Sequence, residues 1–253
     1  MGLIRADQLL VVQGLARSRT RAQRLIRNHR VFIEHQGAWV AVTKVSEKLA
    51  DTTVFYIETD PEERFVSRAG LKLDALLAQS GVSLKGLVVL DVGQSTGGFT
   101  DCALNHGAAS VIGVEVGHDQ LVEPLKSDPR VTCLEGINAR TLTQATLSAY
   151  TPNGPDAVVM DVSFISQTLI LPALAALMRP GTPLLSLVKP QFELSPEAIN
   201  TKGLVRSLDA YDDVRARVLT CCQTHGLSPE LWIDSPITGG DGNREFLLYA
   251  RRL

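Results

Sequence analysis

Disulfide chemistry is the first thing this sequence lacks. Its four cysteines, Cys102, Cys133, Cys221 and Cys222, contain no C-x-x-C pair, and an adjacent pair is no disulfide framework. The pattern fits inert thiols in a reduced, cytoplasmic setting. The five histidines, His29, His35, His106, His118 and His225, have no metal-ligand spacing, so no metal is expected. Long apolar runs are missing too. Thr168 to Met178 is the longest and is interrupted by Pro172, well short of the ~20 residues of a membrane span. Asp7 and Gln8 precede the first apolar run, which does not read as a signal peptide. No membrane partner is expected. Excess positive charge is also absent, with a net charge of -2 from 25 Lys+Arg and 27 Asp+Glu. Taken over the whole chain, that argues against a surface coated for phosphate binding.

What is present is ordinary globular material. The 253 residues are 45% hydrophobic and 21% charged, enough for one or two domains with real cores. The charge is uneven. Residues 1–60 hold nine Lys+Arg and six Asp+Glu, a net of +3, and the remainder carries -5. Six arginines, Arg17, Arg19, Arg21, Arg24, Arg27 and Arg30, fall within fourteen residues, and no acid lies between Asp7 and Glu34. Such asymmetry suggests a nucleic-acid module joined to something else.

The basic part reads as two short helices and a small sheet. Gln8 to Gln13 is helical with Gly14 as its stop, and Ser18 caps a second helix running to about Asn28. Ala22, Leu25 and Ile26 share one face of that helix, while Arg17, Arg21, Arg24 and Arg27 form an opposing stripe. Val31–Glu34, Trp39–Val42 and Thr53–Ile57 alternate as strands do. Arg5-Ala-Asp-Gln-Leu-Leu-Val, Gly14-Leu-Ala-Arg-Ser-Arg, Ala22-Gln-Arg-Leu-Ile and Val31 resemble the RNA-binding module named after ribosomal small-subunit protein four. The sequence departs from that pattern at Asn28-His-Arg and Glu34-His-Gln-Gly. The resemblance implies RNA contacts from Arg5, Arg17, Arg19, Arg21, Arg24 and Arg27.

Asp60-Pro-Glu-Glu-Arg is polar and reads as the start of a linker over residues 61–66. A helix over Phe65 to Gln79 is expected next. From Leu87 apolar strands alternate with helices: strands at Leu87–Val92, Ser110–Val116, Val131–Leu134, Ala157–Met160 and Leu184–Val188, and helices at Thr100–His106, Asp119–Lys126, 166–178 and 208–225. Glu230–Ile233 and Glu245–Ala250 close the sheet. This predicts a doubly wound, Rossmann-like α/β domain over residues 67–253.

The first of these strands runs into Asp91-Val-Gly-Gln-Ser-Thr-Gly-Gly-Phe-Thr. Glycines permit a sharp turn and close approach to a ligand, and the following helix offers unpaired N–H groups. Glu115, twenty-two residues after Gly93, ends the second strand where a carboxylate can accept from both ribose hydroxyls. The loop therefore reads as a site for an adenosine-containing cofactor. Its G-x-x-x-G-G spacing fits the dinucleotide pattern G-x-G-x-x-G poorly. An acid followed by glycine is the arrangement S-adenosylmethionine enzymes commonly show. A nicotinamide-linked enzyme is the alternative at this point.

Asp161 and Lys189 end the fourth and fifth strands, Glu245 opens the last, and Lys72 lies on the preceding helix. The carboxyl edge of such a sheet is where its chemistry resides. Two lysines alternating with two carboxylates suit removal of a proton from a poor acid such as a sugar hydroxyl. A lysine at its ordinary pKa of about 10.4 is protonated, so a basic lysine needs burial or a neighbouring cation.

Val66-Ser-Arg-Ala-Gly-Leu-Lys-Leu, Asp91-Val-Gly through Gly97-Gly-Phe-Thr-Asp, Asp161-Val-Ser-Phe-Ile-Ser, Leu187-Val-Lys-Pro-Gln-Phe-Glu and Ser235-Pro-Ile-Thr-Gly-Gly-Asp-Gly-Asn-Arg-Glu-Phe occur in this order. Together they resemble the TlyA, or hemolysin-A-like, family, in which that RNA-binding module precedes an FtsJ-like methyltransferase domain. The resemblance implies ribose 2′-O-methylation of ribosomal RNA, free or in ribosomal subunits. It implies a tetrad of Lys72, Asp161, Lys189 and Glu245 with Lys189 as base. It implies S-adenosylmethionine on Asp91, Gly93, Ser95, Thr96, Gly97, Gly98, Phe99, Glu115, Val116, Asn138 and Asp161, with Arg68 added to the RNA contacts. Gln94 stands where a small residue is usual, and Glu115 where Asp is more common. A membrane-active protein, as the historical family name suggests, and a non-catalytic RNA-binding protein are the alternatives.

Overall fold

A computed structural model describes residues 2–16, 18–58 and 64–253. The chain divides into two compact units, Met1–Arg64 and Phe65–Leu253. Arg17 and the first half of the expected linker, residues 61–63, lie outside the described residues. The last two residues assigned to that linker belong to the second unit. Phe65 is buried in its core, and the Val66 N–H donates to Asp101 Oδ2 at 2.8 Å.

The first unit runs β1 (Leu3–Arg5), α1 (Ala6–Val12), α2 (Arg19–Arg27), β2 (Val31–His35), β3 (Ala38–Ala41), β4 (Lys48–Ala50) and β5 (Phe55–Ile57). Ser18 caps α2 by accepting from the Arg21 N–H at 3.3 Å. Ala22, Leu25 and Ile26 of α2 meet Leu9 and Leu10 of α1 in the core. The strands form an antiparallel sheet ordered β3-β2-β5 and a separate β1-β4 pair. The β1-β4 pair was not predicted, because three residues show no measurable alternation.

Asp7 organises this unit's polar face. It is buried, yet its carboxylate accepts from Arg5 Nε at 3.0 Å, Arg19 Nη2 at 3.0 Å and Gln23 Nε2 at 2.8 Å. Burial alone would raise its pKa; the bonds from Arg5, Gln23 and Arg19 outweigh that and hold it well below the usual carboxylate range. Two of the arginines expected to meet RNA are thus also tied to an internal acid.

The second unit runs α3 (Ala69–Ser80), β6 (Val88–Val92), α4 (Gly98–Asn105), β7 (Ser110–Glu115), α5 (Glu123–Lys126), β8 (Val131–Glu135), α6 (Gln144–Leu147), β9 (Ala157–Met160), α7 (Leu171–Leu177), β10 (Pro183–Val188), α8 (Pro190–Glu193), α9 (Ala210–Thr224), β11 (Leu227–Asp234) and β12 (Phe246–Arg252). Its seven-stranded sheet is ordered β11-β12-β10-β9-β6-β7-β8. The strands from β10 to β8 are mutually parallel, while β12 is antiparallel to both β10 and β11. The sheet is therefore mixed, with a β11–β12 edge pair joined by a loop rather than a crossover helix.

Period-two alternation sends strand residues to two cores. Val158 and Met160 of β9 join α7 and α9, while Ala157 and Val159 join α3 and α4. Several helices are shorter than expected. The helix expected from Phe65 begins at Ala69, because Phe65 packs against Gly70, where a Cβ would lie 2.5 Å from its ring. The helix expected from Asp119 begins at Glu123, because Asp119 is left-handed (φ 54) and donates its N–H to Glu135 Oε1. The helix expected at 166–178 is a 3₁₀ turn at Gln167–Leu169 followed by α7, with Pro172 in its first turn.

The Asp7 cluster carries a sign. Its carboxyl is depressed in the fold, so its contribution is fully present above the unfolded value near 4, begins to fade below it, and is lost as pH falls on to the lower folded value. We expect Asp7→Asn to cost the first unit about 2 kcal/mol at neutral pH, the scale of hydrogen bonds to a charged acceptor. The cost should shrink in acid, measured by thermal unfolding of wild type and variant from pH 7 down to pH 3.

Candidate active site

The strand order reverses between β6 and β9, since β7 and β8 lie to one side and β10 to the other. A crevice opens at such a switch point. A cavity of about 490 Å³ lies there, bounded by Gly93 beyond β6, Glu115 and Val116 at the end of β7, Ile137 and Asn138 beyond β8, and Asp161 to Ile165 beyond β9. A smaller one of about 90 Å³ shares Gly93, Ser95 and Asp161 and adds Ser67, Thr96, Gly98 and Phe99.

The glycines of the loop are used for close approach. Gly93 has φ 81, and a Cβ there would lie 2.5 Å from the Asp161 carbonyl oxygen. Gly97 has φ 97, and a side chain there would run into Leu121 and Leu125. Ser95 is itself left-handed at φ 48. Its N–H donates to Glu115 Oε2 at 2.9 Å, and the Gly117 N–H donates to Oε1 at 2.9 Å. Each carboxylate oxygen retains a lone pair for a hydroxyl. The Oδ1 of Asn138 accepts from the Arg140 N–H, which sets its side chain at the cavity wall. An adenosine-containing ligand fits this donor set: carboxylate at one wall, apolar Val116, Ile137 and Ile165 around it, glycine backbone beneath.

Asp91 was expected to touch the cofactor. It lines neither cavity and lies fully buried under the loop, where Oδ2 accepts from Thr100 Oγ1 at 2.6 Å. Gln94, which departs from the family's small residue, donates to the same Thr100 Oγ1 at 2.9 Å. Asp91 Oδ1 is buried without a hydrogen-bond partner among the described residues. Desolvation pushes the carboxyl up to about 7. Thr100 opposes that rise, and the negative charges of Asp161 and Glu115 add to it.

The four charged residues form two ion pairs at the same end of the sheet. Lys72, on α3, donates to Glu245 Oε2 at 2.5 Å, and the pair is 7% and 3% exposed. Lys189 Nζ lies 2.6 Å from Asp161 Oδ1 and donates to Ser163 Oγ at 2.8 Å. Register explains the convergence. Val188 pairs with Phe246, so Lys189 and Glu245 sit next to each other beyond β10 and before β12. Ser186 pairs with Met160, which puts Asp161 at the end of the neighbouring strand. The loop before Glu245 is pinned by the buried Asn243, whose amide donates to the Gly203 carbonyl at 2.8 Å.

Two further residues were missed. Ser163 stands in the Asp161-Val-Ser-Phe-Ile-Ser motif, but no role was assigned to it. Phe164 is 91% exposed at the cavity's edge, left-handed at φ 64, with its ring 5.0 Å from that of Phe192. Its signal in the sequence was an aromatic residue in a strand-end loop. Arg68 is exposed just ahead of α3. Among the described residues one group offers metal-type donors, Asp74, Cys102 and His106, each with an atom within 4.8 Å of the others. It lines neither cavity, and His106 Nε2 and Asp74 Oδ1 share a hydrogen bond of 2.7 Å.

The pattern of FtsJ-like methyltransferases matches residues 65–252. The 16S/23S rRNA (cytidine-2′-O)-methyltransferase TlyA of Mycobacterium tuberculosis is 39% identical over 98% of this chain and 89% of its own length. Hemolysin A of Brachyspira hyodysenteriae is 34% identical over 97% and 99%. A solved structure from Streptococcus thermophilus that carries a hemolysin name has a TM-score of 0.74 at 38% identity, covering 100% of this chain and 89% of that one.

The buried acid under the loop makes the site's stability sensitive to pH. A carboxyl raised in the fold favours the fold below its unfolded value near 4, and that advantage is lost as pH rises through about 7. Wild type should lose on the order of 4 kcal/mol from this group between pH 4 and pH 8. Asp91→Asn should flatten that slope in denaturant titrations at several pH values.

Proposed function

This chain belongs to the FtsJ-like methyltransferase family, among proteins named TlyA and hemolysin A, and from that premise we propose that it methylates ribose 2′-hydroxyls of ribosomal RNA with S-adenosylmethionine. The observation that carries the reading is the pair of lysine–carboxylate contacts at the strand ends beside a glycine-floored cavity. When bound, the cofactor supplies an electrophilic methyl group on a sulfonium.

In its neutral form the Lys189 amine would take the proton from a ribose hydroxyl placed beside it, and so prepare that oxygen to receive the methyl group. Asp161 Oδ1 at 2.6 Å and Ser163 Oγ at 2.8 Å fix the position of the Lys189 amine. The buried Lys72–Glu245 pair keeps a second cation and carboxylate fixed beside it. The residues proposed to hold the cofactor are Gly93, Ser95, Thr96, Gly98, Phe99, Glu115, Val116, Asn138 and Asp161. Asp91 and Gly97 act from beneath, by supporting the loop. The exposed Phe164 ring offers a stacking surface to a base, since every base has a π-face.

The first unit is proposed as the RNA grip, of the kind named after ribosomal small-subunit protein four. Its phosphate contacts come from Arg21, Arg24 and Arg27 of α2, with Arg5 and Arg19 oriented by Asp7. Arg17 and Arg68 complete that proposed set. Among the described residues no helix is long and apolar enough to cross a membrane. The substrate so proposed, ribosomal RNA or a ribosomal subunit, places the work in the cytoplasm.

Methyl transfer from labelled cofactor into ribosomal RNA tests the assignment. Lys189→Ala should lower kcat by at least about 100-fold, the low end for loss of a general base, and calorimetry should show cofactor affinity within about threefold of wild type. Equal transfer by both proteins removes Lys189 from the mechanism.

A further inference from the structure

The segments that carry Asp161 and Lys189 leave adjacent parallel strands and are fastened together over their whole length. Lys189 meets Asp161 and Ser163. Three residues on, the Phe192 ring lies 5.0 Å from Phe164. One residue further, Glu193 closes the row: its carboxylate accepts from the Ser166 hydroxyl and from the Gln167 N–H at 2.8 Å. Contacts thus run in register along both segments.

Glu193 is unusual among these residues. It is buried, touches neither cavity and lies at the end of α8, a four-residue helix too short to hold itself. Its neighbours are satisfied in turn. The Gln167 side-chain oxygen accepts from Ser186 Oγ at 2.9 Å, inside β10, and Arg217 of α9 donates to the Glu193 carbonyl. Burial pushes the Glu193 carboxyl up, while hydrogen bonds from Ser166 and Gln167 pull the other way. A buried carboxylate held by two donors on a neighbouring loop is a costly arrangement for mere packing. Between the clamp and the strand lies Phe164, held in a left-handed backbone conformation that costs on the order of 1–3 kcal/mol and persists only where its surroundings over-determine it.

We propose that Glu193 is a positioning residue: it clamps the Asp161–Gln167 segment to the Lys189–Glu193 turn, and so sets the Lys189–Asp161 spacing and the place of Phe164. The proposal rests on the methyltransferase reading for its effect on rate, but the clamp itself is a statement about the loops. A base displaced by about an ångström loses much of its rate while binding elsewhere is kept.

The test uses the full chain and the variants Glu193→Ala, Glu193→Gln and Ser166→Ala. Glu193→Ala should lower kcat for methyl transfer by between about 10-fold and 100-fold, with KM for the cofactor within about threefold of wild type. Glu193→Gln keeps an acceptor oxygen and should recover part of that loss. Ser166→Ala removes one donor from the opposite side, should act in the same direction less strongly, and stands in if Glu193→Ala does not fold. Amide exchange across residues 163–167, with S-adenosylhomocysteine present, should quicken in Glu193→Ala and Ser166→Ala. Wild-type kcat together with wild-type exchange in the folded variants overturns the proposal, as does a fall in cofactor affinity with kcat unchanged. If wild type methylates no ribosomal RNA, the functional reading fails, and amide exchange alone decides the clamp: quicker exchange supports it and unchanged exchange overturns it.

Discussion

Two lysines held against two carboxylates at one end of a sheet form the constraint on which the rest of this structure turns. Lys72 meets Glu245 and Lys189 meets Asp161 at bonding distance. Residues so far apart in sequence meet because β9, β10 and β12 are neighbours with fixed register. Removing one partner from the buried Lys72–Glu245 pair leaves an uncompensated charge, which costs more than the pair contributes. The sheet therefore has to deliver both partners together, and α3 has to lie over β12 for Lys72 to reach. An antiparallel β12 is what makes this possible. It brings the residue before the strand, not the one after it, to the carboxyl edge of the parallel strands.

Close approach also governs the glycine-rich loop after β6. Gly93 passes so close to the Asp161 carbonyl that no side chain is tolerated. The turn at the cavity wall thus packs against the main chain of the residue whose side chain meets Lys189. Beneath it Asp91 is buried with one oxygen unpartnered among the described residues, and desolvation holds its proton near neutrality. Burial without a full set of hydrogen bonds is what raises this carboxyl. In the first unit the opposite occurs. Asp7 is also buried, but two arginines and a glutamine keep it ionised.

Much of the charged strand edge was legible in the sequence because doubly covered strands read as apolar runs whose charged terminators stand out. Leu87–Val92, Ala157–Met160 and Leu184–Val188 gave Asp91, Asp161 and Lys189 in that way. The direction of β12 was not legible, since an apolar run carries no sign for parallel or antiparallel pairing. Nor was the start of α3, where Phe65 keeps helical periodicity but spends its ring on Gly70. Glu193 and Ser166 close two of the quoted motifs, but their pairing was not legible, because a hydrogen bond between two loops leaves no spacing behind. The arginine stripe was legible as a stripe, while Asp7, which binds Arg5 and Arg19, read only as an acid near the start of the chain. The whole-chain charge of -2 concealed the basic first unit by averaging it against an acidic second one.

The central claim is that this chain places 2′-O-methyl groups on ribosomal RNA. Mapping 2′-O-methyl positions in ribosomal RNA from cells with and without the protein tests it most directly. The account predicts that one or a few positions lose their methyl group when the protein is absent and regain it when the wild-type chain is restored, but not when the Lys189→Ala chain is. Identical maps with and without the protein would contradict it.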